Sequence, residues 1–170
     1  MEVTDVATFL KYFENIRERT RRVVNSVPAE QFDFRYRPEK FSFADLVRHL
    51  GATERFMWAE NVQGKPSRYP GHGPELADGH AEVMAWFERM HEESMSIFGA
   101  LRNEDLSRQC VTPGGASLAV GKWLRAMVEH EVHHRGEMFI YLGLMGVAAP
   151  KLFGLTSEEV KARSISQIGD

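Results

Sequence analysis

The sequence has little that would mark a secreted, membrane-spanning or nucleic-acid-binding protein. Its single cysteine, Cys110, excludes an intrachain disulfide and favours a reducing compartment. The uncharged run over residues 138–150 is too short and too rich in glycine to span a bilayer. The N-terminus lacks the basic and apolar regions of a signal peptide. A net charge of −3 provides no basic surface for nucleic acid. We therefore expect a cytoplasmic protein whose partners are neither nucleic acid nor membrane.

The chain is nevertheless rich in amphipathic segments. Hydrophobic residues make up 43% of the 170 residues, which is enough for one globular domain with a sizeable core. Four segments repeat their apolar residues at helical spacing, and no strong strand pattern competes with them. We therefore predict one all-α domain over residues 1–170, a four-helix bundle with its core over about 4–146 and an extension over 150–170.

Capping and turn residues set the limits of the predicted elements. The first helix follows a cap at Thr4 or Asp5 and ends before Pro28, and the second follows a capping box formed by Ser42 and Asp45. The third and fourth helices span about 79–101 and 119–145, and a capping box over 156–159 opens a short terminal helix. Residues 28–41 connect the first two helices, with a helical turn at 29–32, and a turn at 112–115 can join two short extended pieces.

The connection over residues 62–79 holds four glycines and three prolines and should be a long loop. Loops of this length are uncommon in compact domains unless they cross the fold or carry function. Together with residues 108–118, this loop is our candidate for the entrance to a site at the end of the bundle.

The fourth helix carries the strongest functional signal. Its predicted buried stripe is apolar except at the centre, where His130 and His134 lie one turn apart. His49 lies at the centre of the stripe of the second helix. Buried imidazoles are costly without partners, and three histidines with an open position form the ligand set of a catalytic zinc site. The stripe of the fourth helix consists of Trp123, Met127, His130, His134, Met138, Tyr141 and Met145.

Alternative readings of these residues stay open on spacing alone. His133 rivals His134 as a ligand, because it is also a helical neighbour of His130. Each histidine could instead be a core residue bonded to a backbone carbonyl. Two Glu-x-x-His pairs, Glu131 with His134 and Glu88 with His91, also fit a di-iron carboxylate bundle. That alternative is disfavoured because Glu88 lies far from the centre of the third helix's stripe.

The segment His-Glu-Val-His-His-Arg-Gly-Glu at 130–137, together with His49 in Asp-Leu-Val-Arg-His-Leu, resembles the DinB/YfiT-like family of metal-binding four-helix bundles. The resemblance extends from the first helix through Gly146. It implies an up-down-down-up course, for which the connection over 62–79 would cross the bundle. It also implies a divalent ion, zinc or nickel, held by His49, His130 and His134.

The family resemblance further implies an enzyme that uses the metal to activate a thiol or water against a small electrophile. Known relatives include thiol S-transferases that use low-molecular-weight thiols, a mycothiol-dependent isomerase and proposed hydrolases, and some are dimers. We therefore expect a small-molecule substrate, a thiol co-substrate and a homodimer. A binding module without turnover and a purely structural bundle are the alternatives. A departure from the family is Glu137, which stands where glutamine is usual.

Glu137 and His133 are the candidate residues for roles around the metal. Glu137 shares the metal-facing side of the helix, where it could accept a hydrogen bond from His133, or through water from a ligand imidazole. It could instead reach solvent and pair with Arg135 or another basic group, or act as a general base. We predict that His133 lines the pocket and that Arg135 points away from the metal, to an ion pair or a cap.

The remaining polar candidates are expected to play no part in the chemistry. We predict that Cys110 is a spare thiol and that Tyr141 lies in the core, with a partner for its hydroxyl. The other histidines are expected at the surface or in loops, and a basic cluster in the first helix should be a solvated face. The other histidines are His72, His80 and His91. The basic cluster consists of Arg17, Arg19, Arg21 and Arg22.

Overall fold

Six α-helices and a small β-hairpin form the computed structural model, which describes residues 3–166. Single turns of 3₁₀ helix lie at Ala29–Gln31, as predicted, and at Asn103–Ser107. The elements are α1 (Val6–Val24), α2 (Phe43–Thr53), α3 (Ala59–Val62), α4 (His80–Gly99), β1 (Gln109–Val111), β2 (Ser117–Ala119), α5 (Val120–Met145) and α6 (Ser157–Ser166).

Side-chain caps begin three helices where the sequence predicts them. Asp5 accepts a hydrogen bond from the Thr8 N–H at 2.7 Å and starts α1. Ser42 and Asp45 form a reciprocal capping box at the start of α2, with bonds of 2.8 and 3.0 Å. Thr156 and Glu159 do the same for α6. These caps satisfy N–H groups that have no partner inside the helix.

Two hydrophobic clusters, one at each end of the bundle, show how the helices run. The first joins the C-terminal part of α1 to the N-terminal parts of α2 and α4 and to the C-terminal part of α5. The second joins the N-terminal part of α1 to α3, to the end of α4 and to the beginning of α5. Helices α1 and α5 therefore run one way and α2–α3 and α4 the other, which confirms the up-down-down-up four-helix bundle.

The long connection over residues 63–79 follows from this course. Because α3 ends at the opposite end of the bundle from the start of α4, the chain must cross back along the whole length. The turn at 112–115 joins β1 and β2 as an antiparallel hairpin, with Cys110 opposite Leu118. No helix of the described residues is long and apolar enough to cross a membrane.

The second bundle helix contains a wide turn that the sequence did not predict. Residues Glu54–Trp58 form a π-helical turn between α2 and α3. The wider turn changes which side chains face the core, so that Ala59 and Val62 are buried whereas Phe56 and Met57 are only partly buried. The carboxylate of Glu54, the first residue of the turn, stays inside the bundle, where it pairs with the buried guanidinium of Arg17.

The buried face of α5 differs from the predicted stripe. Its centre passes through Leu124, Glu131 and Leu142, whereas His130 and His134 lie at the edge of that face and are only partly buried. The prediction that the histidines are central to the stripe was therefore wrong by about one helical position. The shift places both imidazoles between the core and the surface, where a small molecule can reach them.

Candidate metal centre

Three histidines from two neighbouring helices converge at the edge of the bundle. His49 comes from α2, and His130 and His134 come from successive turns of α5. The Nε2 atom of His130 lies 3.1 Å from Nε2 of His49 and 3.2 Å from Nε2 of His134. Each residue offers one ligand atom, and these atoms all lie within 4.8 Å of one another.

The environment keeps these imidazoles uncharged at neutral pH. Burial, together with the neighbouring His134, lowers the pKa of His49 to about 4. Burial and the other imidazoles lower the pKa of His130 to about 3. Burial also lowers the pKa of His134, although its hydrogen bond to Glu137 acts in the opposite direction. Uncharged imidazoles have the free lone pairs that metal binding requires.

Hydrogen bonds on the outer nitrogens orient two of the rings. Nδ1 of His134 lies 3.0 Å from Oε2 of Glu137. Because an ionised carboxylate can only accept, His134 carries its proton on Nδ1, and Nε2 presents a lone pair to the other rings. Nδ1 of His49 lies 2.8 Å from the hydroxyl of Tyr69, a residue of the crossing connection.

The donor set fits a divalent transition ion. Nitrogens about 2.0–2.1 Å from a tetrahedral zinc ion stand about 3.3 Å apart, close to the observed 3.1 and 3.2 Å. Lone pairs facing one another at this distance repel unless a cation or a proton lies between them. Three protein ligands leave a fourth position for water or substrate, as in catalytic zinc sites.

Aromatic rings pack against this group, and a cavity lies on the far side of Tyr69. The ring of Trp58 lies 4.7 Å from that of His130, and the ring of Phe41 lies 5.6 Å from that of His49. A cavity of about 730 Å³ lies between the crossing connection and the β-hairpin. Its lining includes Tyr69, which contacts His49, and Cys110. Residues of both predicted entrance segments, 62–79 and 108–118, line this cavity.

His133 and Glu137 lie beside the three histidines. His133 is exposed, and its ring lies 5.0 Å from that of His134. His133, His134 and Glu137 also form a group whose ligand atoms lie within 4.8 Å of one another. The hydrogen bond of Glu137 goes directly to His134, whereas the sequence predicted a bond from His133 or a bond through water.

The di-iron alternative is wrong, because both of its glutamates are used elsewhere. Glu131 lies in the core, where it accepts hydrogen bonds from Arg17 at 2.9 Å and from Thr20 at 2.7 Å. Glu88 pairs with Arg21 near the surface at 2.8 Å. A guanidinium therefore occupies the centre of the bundle, where a carboxylate-bridged metal pair would lie.

The predicted positions of His91 and Arg17 need correction, because both are buried. His91 was expected at the surface, yet its ring nitrogens lie 2.9 Å from carboxylate oxygens of Glu54 and Glu14. Arg17 was assigned to a solvated face, yet it is completely buried and pairs with Glu54 and Glu131. Each helix of the bundle thus contributes to one buried polar layer.

Two further basic residues differ in part from their predicted positions. Arg135 is buried, and its guanidinium donates to the Ile16 carbonyl at 3.0 Å, so it points to α1 rather than to an exterior ion pair. His72 lies in the crossing connection, as expected, but its ring packs on Phe41 with centroids 3.9 Å apart. Its Nδ1 lies 3.1 Å from the Tyr69 hydroxyl.

The remaining sequence candidates bond or pack outside the three-histidine group. The hydroxyl of Tyr141 donates to the Phe41 carbonyl at 2.6 Å, and burial with nearby Glu137 raises its pKa to about 12. Burial raises the pKa of the Cys110 thiol, which makes it a poor nucleophile. His80 begins α4 and packs against Phe32.

Sequence reasoning missed Tyr69 altogether and treated His72 as an ordinary loop residue. Both come from the crossing connection, and their contacts with His49 depend on how that connection passes over the bundle. The unusual length of the connection was the one available signal, and it did not indicate which residues would reach the site.

The fold and the site together define a four-helix bundle with a three-histidine centre between two of its helices. The family model of the DinB superfamily matches residues 12–138, and the chain belongs to this superfamily. The protein YjoA of Bacillus subtilis is 23% identical over 140 residues, which cover 81% of this chain and 88% of YjoA.

Solved structures agree on the fold. YfiT from Bacillus subtilis, described as a probable metal-dependent hydrolase with an unusual four-helix bundle topology, aligns with a TM-score of 0.67. It is 15% identical, with 87% of this chain and 91% of that chain covered. A mycothiol-dependent maleylpyruvate isomerase, solved as a mutant, aligns with a TM-score of 0.61 at 13% identity, covering 85% of this chain and 62% of that one.

Proposed function

We propose that the protein is a metal-dependent enzyme in which His49, His130 and His134 hold one divalent ion, zinc or nickel. The ion would activate a thiol or water for attack on a small electrophile. The observation that carries this proposal is the convergence of three uncharged imidazoles, with Nε2 atoms 3.1 and 3.2 Å apart, at the partly exposed edge of the core.

A divalent ion in this position would lower the pKa of a water or thiol and hold its anion for attack. The chain's own residues prepare the site for that chemistry. Glu137 keeps the His134 proton on Nδ1, and its partly exposed carboxylate is the candidate for a general base. The rings of Trp58 and Phe41 pack against His130 and His49 and help to hold the two imidazoles in place.

The cavity is lined by Tyr69, the partner of His49, and by none of the three histidines, and it supports a small-molecule substrate. Its volume of about 730 Å³ lies within the usual range for small-molecule pockets. The likeness to YfiT supports water as the nucleophile, and the likeness to the mycothiol-dependent isomerase supports a thiol. We favour transfer of a low-molecular-weight thiol, with hydrolysis as the second candidate.

Metal binding is the first test of this proposal. We expect purified protein to carry about one transition ion per chain by elemental analysis and stripped protein to bind zinc or nickel tighter than micromolar. His49→Ala and His134→Ala should each abolish tight binding, whereas His133→Ala, the matched control one position away, should change it little. Loss of binding in His133→Ala with retention in His134→Ala would show that the i, i+3 pair is the chelate.

Turnover is the second test. Metal-loaded protein is assayed against epoxides and haloaromatics, with and without bacillithiol or mycothiol. Turnover that requires the thiol supports the transferase, and turnover without it supports the hydrolase. Tight metal binding without turnover under either condition would favour a binding module.

The variant Glu137→Gln separates the two roles of Glu137. It keeps the shape of the side chain and removes the charge that accepts the His134 proton. If orientation of His134 is the main role, we expect weaker metal binding, by 10-fold or somewhat more, with a modest change in rate. A general base would instead give near-normal affinity, a large fall in turnover and loss of the acidic limb of the pH–rate profile.

A further inference from the structure

A chain of hydrogen bonds runs from the candidate metal site into the crossing connection. His49 Nδ1 lies 2.8 Å from the Tyr69 hydroxyl, which lies 3.1 Å from His72 Nδ1. We propose that Tyr69 and His72 are positioning residues that fix the tautomer of His49 and join the connection over 63–79 to the metal site. This inference rests on the proposed function, because it assumes that His49 is a ligand.

The single hydroxyl hydrogen of Tyr69 allows two arrangements of the protons. In the first, His49 Nδ1–H donates to the tyrosine oxygen, and the hydroxyl donates to His72 Nδ1. In the second, His72 donates and the hydroxyl points to His49 Nδ1, which leaves the His49 proton on Nε2. Only the first arrangement gives His49 a free Nε2 lone pair facing His130, so metal binding selects it.

Contacts with α2 hold Tyr69 and His72 in register with His49. Arg48, the residue before the ligand, is buried and donates to the backbone carbonyls of His72 at 2.8 Å and Ala77 at 3.0 Å. The carboxylate of Asp45 accepts from the same guanidinium at 2.6 Å. The ring of Phe41 packs on His72. The connection is therefore fixed to the helix that carries His49, and the hydrogen-bonded chain needs no rearrangement to act on the ligand.

The sequence of the connection matches this role. Gly64, Gly71 and Gly79 have positive φ values of 78°, 99° and 78°, which other residues rarely adopt. The turns at Gly64 and Gly79 lie on either side of the segment that contains Tyr69 and His72, so this segment can reach back over α2. A connection that only spanned the bundle would need no polar residue directed at His49.

The variant Tyr69→Phe tests the inference, since it keeps the aromatic ring and removes the hydroxyl. We expect stripped Tyr69→Phe protein to bind Zn²⁺ 10- to 100-fold more weakly than the wild type. Tyr12→Phe, which removes a hydroxyl from a partly exposed tyrosine on α1, is the control and should bind as the wild type. The absorption bands of Co²⁺-loaded protein should shift in Tyr69→Phe and not in Tyr12→Phe.

A double variant tests whether the two residues act in one chain. His72→Phe keeps a ring against Phe41 and removes the acceptor, so it should weaken Zn²⁺ binding less than Tyr69→Phe. Tyr69→Phe combined with His72→Phe should bind no more weakly than Tyr69→Phe alone, because His72 acts through the missing hydroxyl. Additive losses would overturn the chain.

Hydrogen exchange separates this inference from the proposed function. Zn²⁺ should slow amide exchange over residues 66–79 in the wild type and much less in Tyr69→Phe. If the wild type binds Zn²⁺ but Tyr69→Phe matches it in affinity and exchange, the inference is wrong and the proposed function stands. If the wild type binds neither zinc nor nickel, both are wrong.

Discussion

Individual side chains decide which metals suit this protein. The buried carboxylates of Glu54 and Glu131 are paired with Arg17, so they are not available as ligands. In the described part of the chain, the ring nitrogens of His49 and His130 bond to the Tyr69 hydroxyl and to other imidazoles. An all-imidazole donor set favours zinc or nickel over magnesium and calcium, which prefer oxygen ligands.

The buried layer around Arg17 should be a major determinant of stability. Burial acts to lower the pKa of Arg17, but Glu131 and Glu54 together raise it above its ordinary value, so the guanidinium stays charged. Arg17→Met would leave both carboxylates buried without their cation, and we expect a loss of about 3–5 kcal/mol. Urea unfolding of the stripped protein measures this loss.

A surface arginine provides the control for Arg17. Arg125 forms an exposed ion pair with Glu129 at 3.0 Å, one turn along α5. Arg125→Met should cost less than about 1 kcal/mol. If Arg17→Met costs no more than Arg125→Met, the buried pairs do not support the fold. Adding Glu54→Gln and Glu131→Gln to Arg17→Met should recover part of the loss, because neither carboxylate then remains buried without Arg17.

The sequence allowed some of these residues to be predicted and not others. His130 and His134 were recognisable because their pairing is local, one turn apart on a helix, and His49 because it interrupts an apolar stripe. Arg17 and His91 could not be placed, since their partner, Glu54, is 37 residues away from each. Arg17 and His91 are buried because each pairs with a carboxylate on another helix, and the sequence around each residue does not reveal that partner.

The helices follow the sequence where local signals set them. The apolar residues that recur at helical spacing in α1 are all buried, namely Val6, Phe9, Phe13, Ile16 and Val23. The caps of α1, α2 and α6 lie where the polar residues indicate. The wide turn at Glu54–Trp58 had no such signal, because apolar residues continue through it at helical spacing. Long-range bonds from Glu54 to Arg17 and His91 accompany the turn, and π turns are frequent at functional sites.

The end of α5 offers a test of how one residue terminates a helix. Gly146 adopts a left-handed conformation, with φ 70° and ψ 19°, and the following Val147 N–H bonds back to Leu142 at 2.9 Å. Gly146→Ala should destabilise the protein by about 1–2 kcal/mol, because a Cβ disfavours this conformation. Thermal or urea unfolding of the variant measures the change.

Gly143, one turn earlier, is the matched control. It lies within α5, and a Cβ there would meet no other atom within 4 Å. Gly143→Ala should therefore be neutral or stabilise the protein by up to about 1 kcal/mol, since alanine is the better helix former. Equal effects of the two substitutions would contradict the assignment of Gly146 as the cap.

At the scale of the whole molecule, the course of the chain makes the site possible. The up-down-down-up order places α2 beside α5, so that His49 reaches His130, and sends the crossing connection past the same place. The amphipathic pattern predicted four helices but not their neighbours. The order of the helices was expected only from the family resemblance, because periodicity shows which face is buried and not what covers it.

A metal held between α2 and α5 should stabilise the entire fold. With free zinc at 100 times its Kd, we expect the free energy of unfolding to rise by about 2.7 kcal/mol relative to stripped protein.

Unfolded histidines bind protons near pH 6.5, so the zinc-bound and the stripped protein both lose stability below that pH. The difference between them depends on protonation of the folded, metal-free site, where the pKa values of His49 and His130 are about 4 and about 3. The metal-dependent increment should therefore persist from pH 8 to about pH 5 and fall to less than half by about pH 3. Urea unfolding with zinc fixed at 100 times the Kd measured at pH 7.5 gives this increment at each pH. His49→Ala should show no increment at any pH under the same zinc concentration. An increment in the wild type that already falls at pH 6.5 and is lost by about pH 5 would show that the ligands titrate as exposed histidines and that the site is not desolvated.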